Sequence, residues 1–96
     1  ALNDAKVLIA TPVRWCKDAL ARDKDGYKVD PQAPNACSFC AEGALKLAAS
    51  NYEVRTAARA ALFAVMGTHI ATWQDHPART HSELMEAFDR AIARAS

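Results

Sequence analysis

Residues 14–31, RWCKDALARDKDGYKVDP, decide whether this chain is wholly helical or also carries a small sheet. Val13, Cys16 and Leu20 would share one face of a helix, whereas Trp15, Ala19 and Ala21 would share one face of a strand, so periodicity alone leaves both open. The turn decides. Asp25-Gly26 is a preferred corner of a two-residue hairpin, in which both central residues take positive φ. The stretch therefore predicts a short β-hairpin, about Trp15 to Arg22 and Tyr27 to Val29, rooted in the core by Trp15. Pro31-Gln32-Ala33-Pro34 then reads as a connector.

Outward from the hairpin, the periodicity is helical. From Asn35 to Ser50, the residues Cys37, Cys40, Ala41, Ala44, Leu45 and Ala48 recur at the spacing of one helix face. From Tyr52 to about Thr72 a second stripe runs Val54, Ala58, Ala61, Leu62, Val65, and Gly67 is expected to loosen or end its regular part. The stripe extends to His69, read here as a hydrogen-bonded core histidine. From His81 to Ala95 the stripe is Leu84, Met85, Phe88, Ala91, Ile92, Ala95, opened by the capping box Thr80-His81-Ser82-Glu83. A shorter helix, about Asp4 to Ala10, stops near Thr11 because Pro12 disfavours helical angles in its predecessor. The predicted fold is mainly α: a small helical domain of about four helices with a short N-terminal β-hairpin. Twenty-two alanines make its helix surfaces shallow, leaving Trp15, Phe39, Phe63, Trp73 and Phe88 to fill the core.

The composition bounds the function. At 96 residues the chain is expected to form one domain, and 51% apolar with 24% charged residues is the balance of a globular protein. Twelve Lys and Arg against eleven Asp and Glu give a net charge of +1, with the signs interspersed. Nothing builds the one-signed field that nucleic acid or anionic lipid requires, so neither nucleic acid nor membrane is an expected partner. No apolar run approaches the roughly 20 residues that span a bilayer. With no basic-then-apolar leader and an odd number of cysteines, the expectation is a cytoplasmic protein with reduced thiols.

Three blocks, WCKDALARDKDGYKVDP, ACSFCAEGAL and WQDHPARTHSELMEAFDRAI, resemble a family of small bacterial and phage proteins of unknown function, DUF6197. That family's pattern runs from Trp-Cys or Trp-Thr through a glycine and an Ala-rich strand to an Asp-x-x-Gly turn. An aromatic-Cys-x-x-Gly-Ala-Leu helix follows, and the chain closes on an amphipathic helix. Trp15, Cys16, Asp25, Gly26, Phe39, Cys40, Gly43, Ala44, Leu45, Trp73, Asp75, Pro77, Thr80 and Glu83 match it. Asp18 stands where a glycine is usual, Gln74 where an asparagine is usual, and Cys37 matches nothing. The resemblance implies no activity; by association with phage-carried proteins it suggests a host-directed regulator.

The chemistry is therefore weighed residue by residue. Cys37-x-x-Cys40 with His76 and His81 supplies two thiolates and two imidazoles, a set that suits zinc. The spacing fits no common module, however, and both thiols are predicted on the apolar stripe of a helix, so no metal and no cofactor is expected. A cysteine-dependent hydrolase is the rival functional class, with Cys16 or Cys40 as nucleophile, His76 or His81 as base and Asp75 orienting it. It lacks an evident oxyanion donor or activated thiol. Lys46, Arg55 and Arg59 suit phosphate contacts but read as a solvated face. What remains is the loop Thr72–Thr80. Its bland reading has Trp73 plugging the core, Asp75 bonding the loop's own amides and Thr80 capping the last helix. Its functional reading makes Trp73, Asp75, His76 and Arg79, beside Tyr27 at the hairpin tip, a surface for another protein, with self-association also open.

Overall fold

The structure is a computed structural model that describes residues 1–95. Among these lie five α-helices: α1 (Leu2–Leu8), α2 (Ala41–Ala48), α3 (Tyr52–Met66), α4 (Ile70–Gln74) and α5 (His81–Ala95). A 3-10 turn spans Pro12–Arg14. Three two-residue strands, β1 (Ala21–Arg22), β2 (Lys28–Val29) and β3 (Ser38–Phe39), form an antiparallel sheet in the order β2-β1-β3. Mainly helical is thus right. The sheet differs from the expected N-terminal hairpin in following α1 and in having a third strand.

That third strand corrects the helix predicted from Asn35. Cys37 N donates to Arg22 O at 2.8 Å and Cys40 N to Leu20 O at 3.1 Å, so residues 37–40 are drawn out along β1. Ala21 faces Phe39, and Arg22 faces Ser38. The Cys37/Cys40 spacing satisfies a helix, but long-range pairing wins, and α2 begins only after Cys40. Cys40 caps it, its sulfur accepting from Gly43 N at 3.3 Å. The next glycine of the block has a steric reason. A Cβ on Gly43 would lie 1.9 Å from the Leu20 carbonyl oxygen, so α2 seats against the lead-in to β1 only without a side chain.

The hairpin turn is also differently built. β1 and β2 pair as Ala21 with Val29 and Arg22 with Lys28. Asp23, not Asp25, organises the turn: its carboxylate accepts from Asp25 N and Tyr27 N, both at 2.9 Å. Gly26 N donates to Asp23 O at 3.0 Å, and Gly26 itself sits at φ 87°. This is the three-residue loop with a left-handed glycine, rather than a two-residue turn. Trp15 lies outside β1. It makes an isolated parallel bridge to Phe39 and is half-buried against the core.

The helices enclose a core built from Ile9, Phe39, Leu45, Leu62, Ile70, Leu84 and Phe88. α5 follows the predicted bounds, burying Leu84, Ala87, Phe88 and Ala91 at i, i+3, i+4, i+7. Its capping box is present, with Thr80 N donating to Glu83 Oε1 at 2.9 Å and Glu83 N to Thr80 Oγ1 at 3.2 Å. α3 stops where Gly67 turns left-handed at φ 77°, and the chain restarts as α4. Two core assignments are overturned, Phe63 by its place off the buried face of α3 and His69 by this break. α3 buries only Ala58 and Leu62, so Phe63 is left on the surface, and His69 becomes the exposed residue preceding α4. Among the described residues no helix is long and apolar enough to cross a membrane.

Candidate functional site

The loop after α4 is held from within by Gln74, the one buried polar residue among those described. Gln74 lies one helical turn after buried Ile70, so the same face carries both inward. Its Oε1 accepts from Trp15 Nε1 at 2.7 Å and from Ala41 N at 3.1 Å. Its Nε2 donates to Cys16 O at 3.3 Å and to the Asp75 carboxylate. Both lone pairs and both N–H groups are thereby used, as a buried amide requires.

Asp75 extends this anchor. Its Oδ1 also accepts from Asp18 N at 3.0 Å, where Asp18 sits in the left-handed region at φ 63°. Such a conformation suits glycine best and aspartate acceptably. Lys17 then ties the loop down: its Nζ donates to His76 O at 2.8 Å and Arg79 O at 2.9 Å and lies 5.2 Å from the Trp15 ring centre. The Arg79 guanidinium lies 3.8 Å over the half-buried Trp73 ring. It also donates to Trp73 O at 3.0 Å and to Glu83 Oε2 at 3.3 Å. Arg22 joins the hairpin to the same assembly through Lys17 O at 3.0 Å and Gly26 O at 2.8 Å.

Of the residues singled out for partner contact, Trp73, Asp75, His76 and Arg79 are brought together, and all four are engaged within the chain. His76 is exposed, its Nδ1 accepting from Ala78 N at 3.1 Å. Tyr27 stands 72% exposed on the hairpin tip, linked to the loop only through Arg22. Sequence reading missed Gln74, Lys17 and Arg22. The i, i+4 relation of Gln74 to Ile70 was the available signal for the first. Lys17 acts on carbonyls 59 and 62 positions away, which no local pattern marks, whereas Arg22 bonds carbonyls four and five residues from it that only the folded hairpin presents to it.

The thiols and imidazoles lie apart in function. Cys40 is buried, and burial pushes its thiol up to about 11. Burial likewise raises Cys16, whose sulfur donates to Ala19 O at 3.7 Å. Cys37 is exposed, correcting the view that it shares an apolar helix stripe with Cys40. His81 Nε2 lies 2.7 Å from Ile9 O, and its ring is tilted against Trp15 at 5.8 Å. Among the described residues no hydrogen bond joins a histidine to a cysteine, and no three His, Cys, Asp or Glu side chains are grouped to hold a metal. A thiol with a raised pKa holds little thiolate near neutral pH.

A different surface is open. A groove of about 460 Å³ runs between α2, α3 and α4, lined by Thr56, Ala60, Phe63, Ile70 and Ala71, with the Glu42–Arg59 ion pair (2.9 Å) in its wall. Phe63 is 47% exposed there and meets the His69 ring edge-on at 5.7 Å.

One protein family, described as a family of unknown function (DUF6197), matches residues 1–94 of the chain. No curated protein and no solved structure matches it.

Proposed function

Because the chain belongs to DUF6197, a family that brings no activity with it, we propose from its own surface that it is a small non-catalytic binding domain that docks another protein on the α3–α4 groove. The carrying observation is Phe63, a large aromatic left half in solvent beside a groove that has room for a partner's apolar side chain. Exposed aromatics at the mouth of a pocket are the usual anchors of protein interfaces. The loop first favoured for this role, with Tyr27, contributes His76 and Tyr27 as outlying contacts. Its remaining polar groups already have partners. The hydrolase reading draws no support from two thiols raised by burial. A regulator borne by phage or a mobile element and directed at a host protein in the cytoplasm fits this reading, as do three free cysteines in a reducing compartment.

Photo-cross-linking tests it. With benzoylphenylalanine at position 63 of the full chain in bacterial cells, a discrete protein adduct is expected. The same probe at Val13, which is exposed but outside the groove, should give none. Equal adducts at both positions, or none at position 63, would overturn the groove as the docking face.

A further inference from the structure

The cations Lys46, Arg55 and Arg59, similar in sequence, occupy different electrostatic situations. Arg59 is neutralised by Glu42 at 2.9 Å. Lys46 and Arg55 have no ion-pair partner among the described residues, although they project from α2 and α3 into one crevice with Asp30, Pro31 and Gln32. The crevice measures about 250 Å³, below the roughly 300 Å³ at which pockets for drug-sized ligands begin. Arg55, one of its lining residues, has an Nε that is closed to solvent and has no acceptor. It is the only buried side-chain nitrogen or oxygen so placed among the described residues. Although the Arg55 side chain as a whole is only half-buried, one N–H of a cation closed to water without a partner is a costly arrangement that calls for an explanation.

We propose that this crevice binds a small phosphate-class oxyanion, independently of the groove beside Phe63. A guanidinium fork and an ammonium point charge, fixed on two helices, are the donor pair that such an anion takes. Gln32 lines the same crevice, and the volume admits a phosphate group. Asp30 is the opposing charge. Its Oδ1 accepts from Gln32 N at 2.8 Å, so it serves the turn, and it lies beyond ion-pair reach of either cation. The lining keeps a positive balance, and Asp30 limits the affinity. An anion seated against the guanidinium supplies the counter-charge that the protein does not.

The Arg55 Nε–H group is itself the reporter. In ¹H–¹⁵N spectra of the full chain, inorganic phosphate should move the Arg55 Nε–H and Gln32 side-chain signals saturably. Chloride at matched ionic strength should not, and the other arginine side chains should stay in place. Methyl phosphate as a second titrant distinguishes the source: equal binding means that the crevice takes the head group of a larger molecule, and binding of inorganic phosphate alone means the free ion. Lys46→Met should weaken binding by about tenfold or more. Asp30→Asn, which keeps the Oδ1 acceptor for the turn, should tighten it about threefold by removing a like charge. The proposal fails if chloride reproduces the shifts, if Lys46→Met binds as well as the parent, or if Asp30→Asn binds more weakly.

Discussion

The loop between α4 and α5 and the outer face of α3 invert what their compositions suggest. Trp73, Asp75, His76 and Arg79 are the residue types of a recognition surface, yet Gln74, Asp18, Lys17 and Glu83 consume much of their bonding capacity. α3 is rich in alanine and reads as scaffold, yet it leaves Phe63 in solvent and Arg55 without an acceptor. Residue type therefore does not decide which surface is free for another molecule. What decides is whether the chain has already satisfied the group, and that depends on segments far away in sequence.

Breaking the latch should cost most. Gln74→Ala leaves the Trp15 indole N–H and the Ala41 amide without their acceptor. At about 1–3 kcal/mol per unpaired buried donor, the expected destabilisation is roughly 3 kcal/mol or more. Urea denaturation reads it directly, and a loss below about 1 kcal/mol would mean that water replaces the amide. Next comes the rim of the same loop. Thr80→Ala removes the α5 cap and should cost about 1 kcal/mol near neutral pH. The Thr80 amide, then its hydroxyl, hold the Glu83 carboxyl below its usual value. A depressed folded-state value means that this contribution is present above the unfolded value, about 4.3, and is lost as the pH falls through the folded one. The Thr80→Ala penalty should therefore shrink in acid, as paired urea titrations near neutrality and near about pH 3 would reveal. The smallest effect belongs to the open face: Phe63→Ser should change stability by no more than about 0.5 kcal/mol. A larger loss would show that Phe63 braces the fold and would blunt the contrast with the loop.

Much of the helical frame was legible because one face of each long helix repeats its apolar residues. α5, with its cap, was readable to the residue. Residues 35–40 were not, because the spacing of Cys37, Cys40 and Ala41 suits a helix locally while its real partner, β1, lies elsewhere in the sequence. The turn was placed correctly but credited to Asp25, although the Asp-x-x-Gly spacing already pointed to Asp23 as the residue able to bond the amides ahead of it. Phe63 reads as core only by its size, since it lies off the stripe through Ala58 and Leu62, and His69 reads as core only when that stripe is carried past Gly67, which resets the helical phase. Thr80 and Glu83 could be read as a pair, since a capping box is local. The central amide of Gln74 could not, since its partners are Trp15, Cys16 and Ala41.

That separation has a kinetic side. The bond between Trp15 and Gln74 closes 59 positions of chain, and the entropy of closing so long a segment is spent before the contact returns anything. Helices α2, α3 and α5 can form from neighbouring residues, whereas this bond needs two segments 59 positions apart already in place. It is therefore expected to form late in folding, after the transition state. An interaction of that kind governs how slowly a protein comes apart rather than how fast it assembles. Gln74 is thus the expected lock on the native state's lifetime, holding the segment ahead of β1 and the start of α2 against the end of α4 after the helices between have found their places.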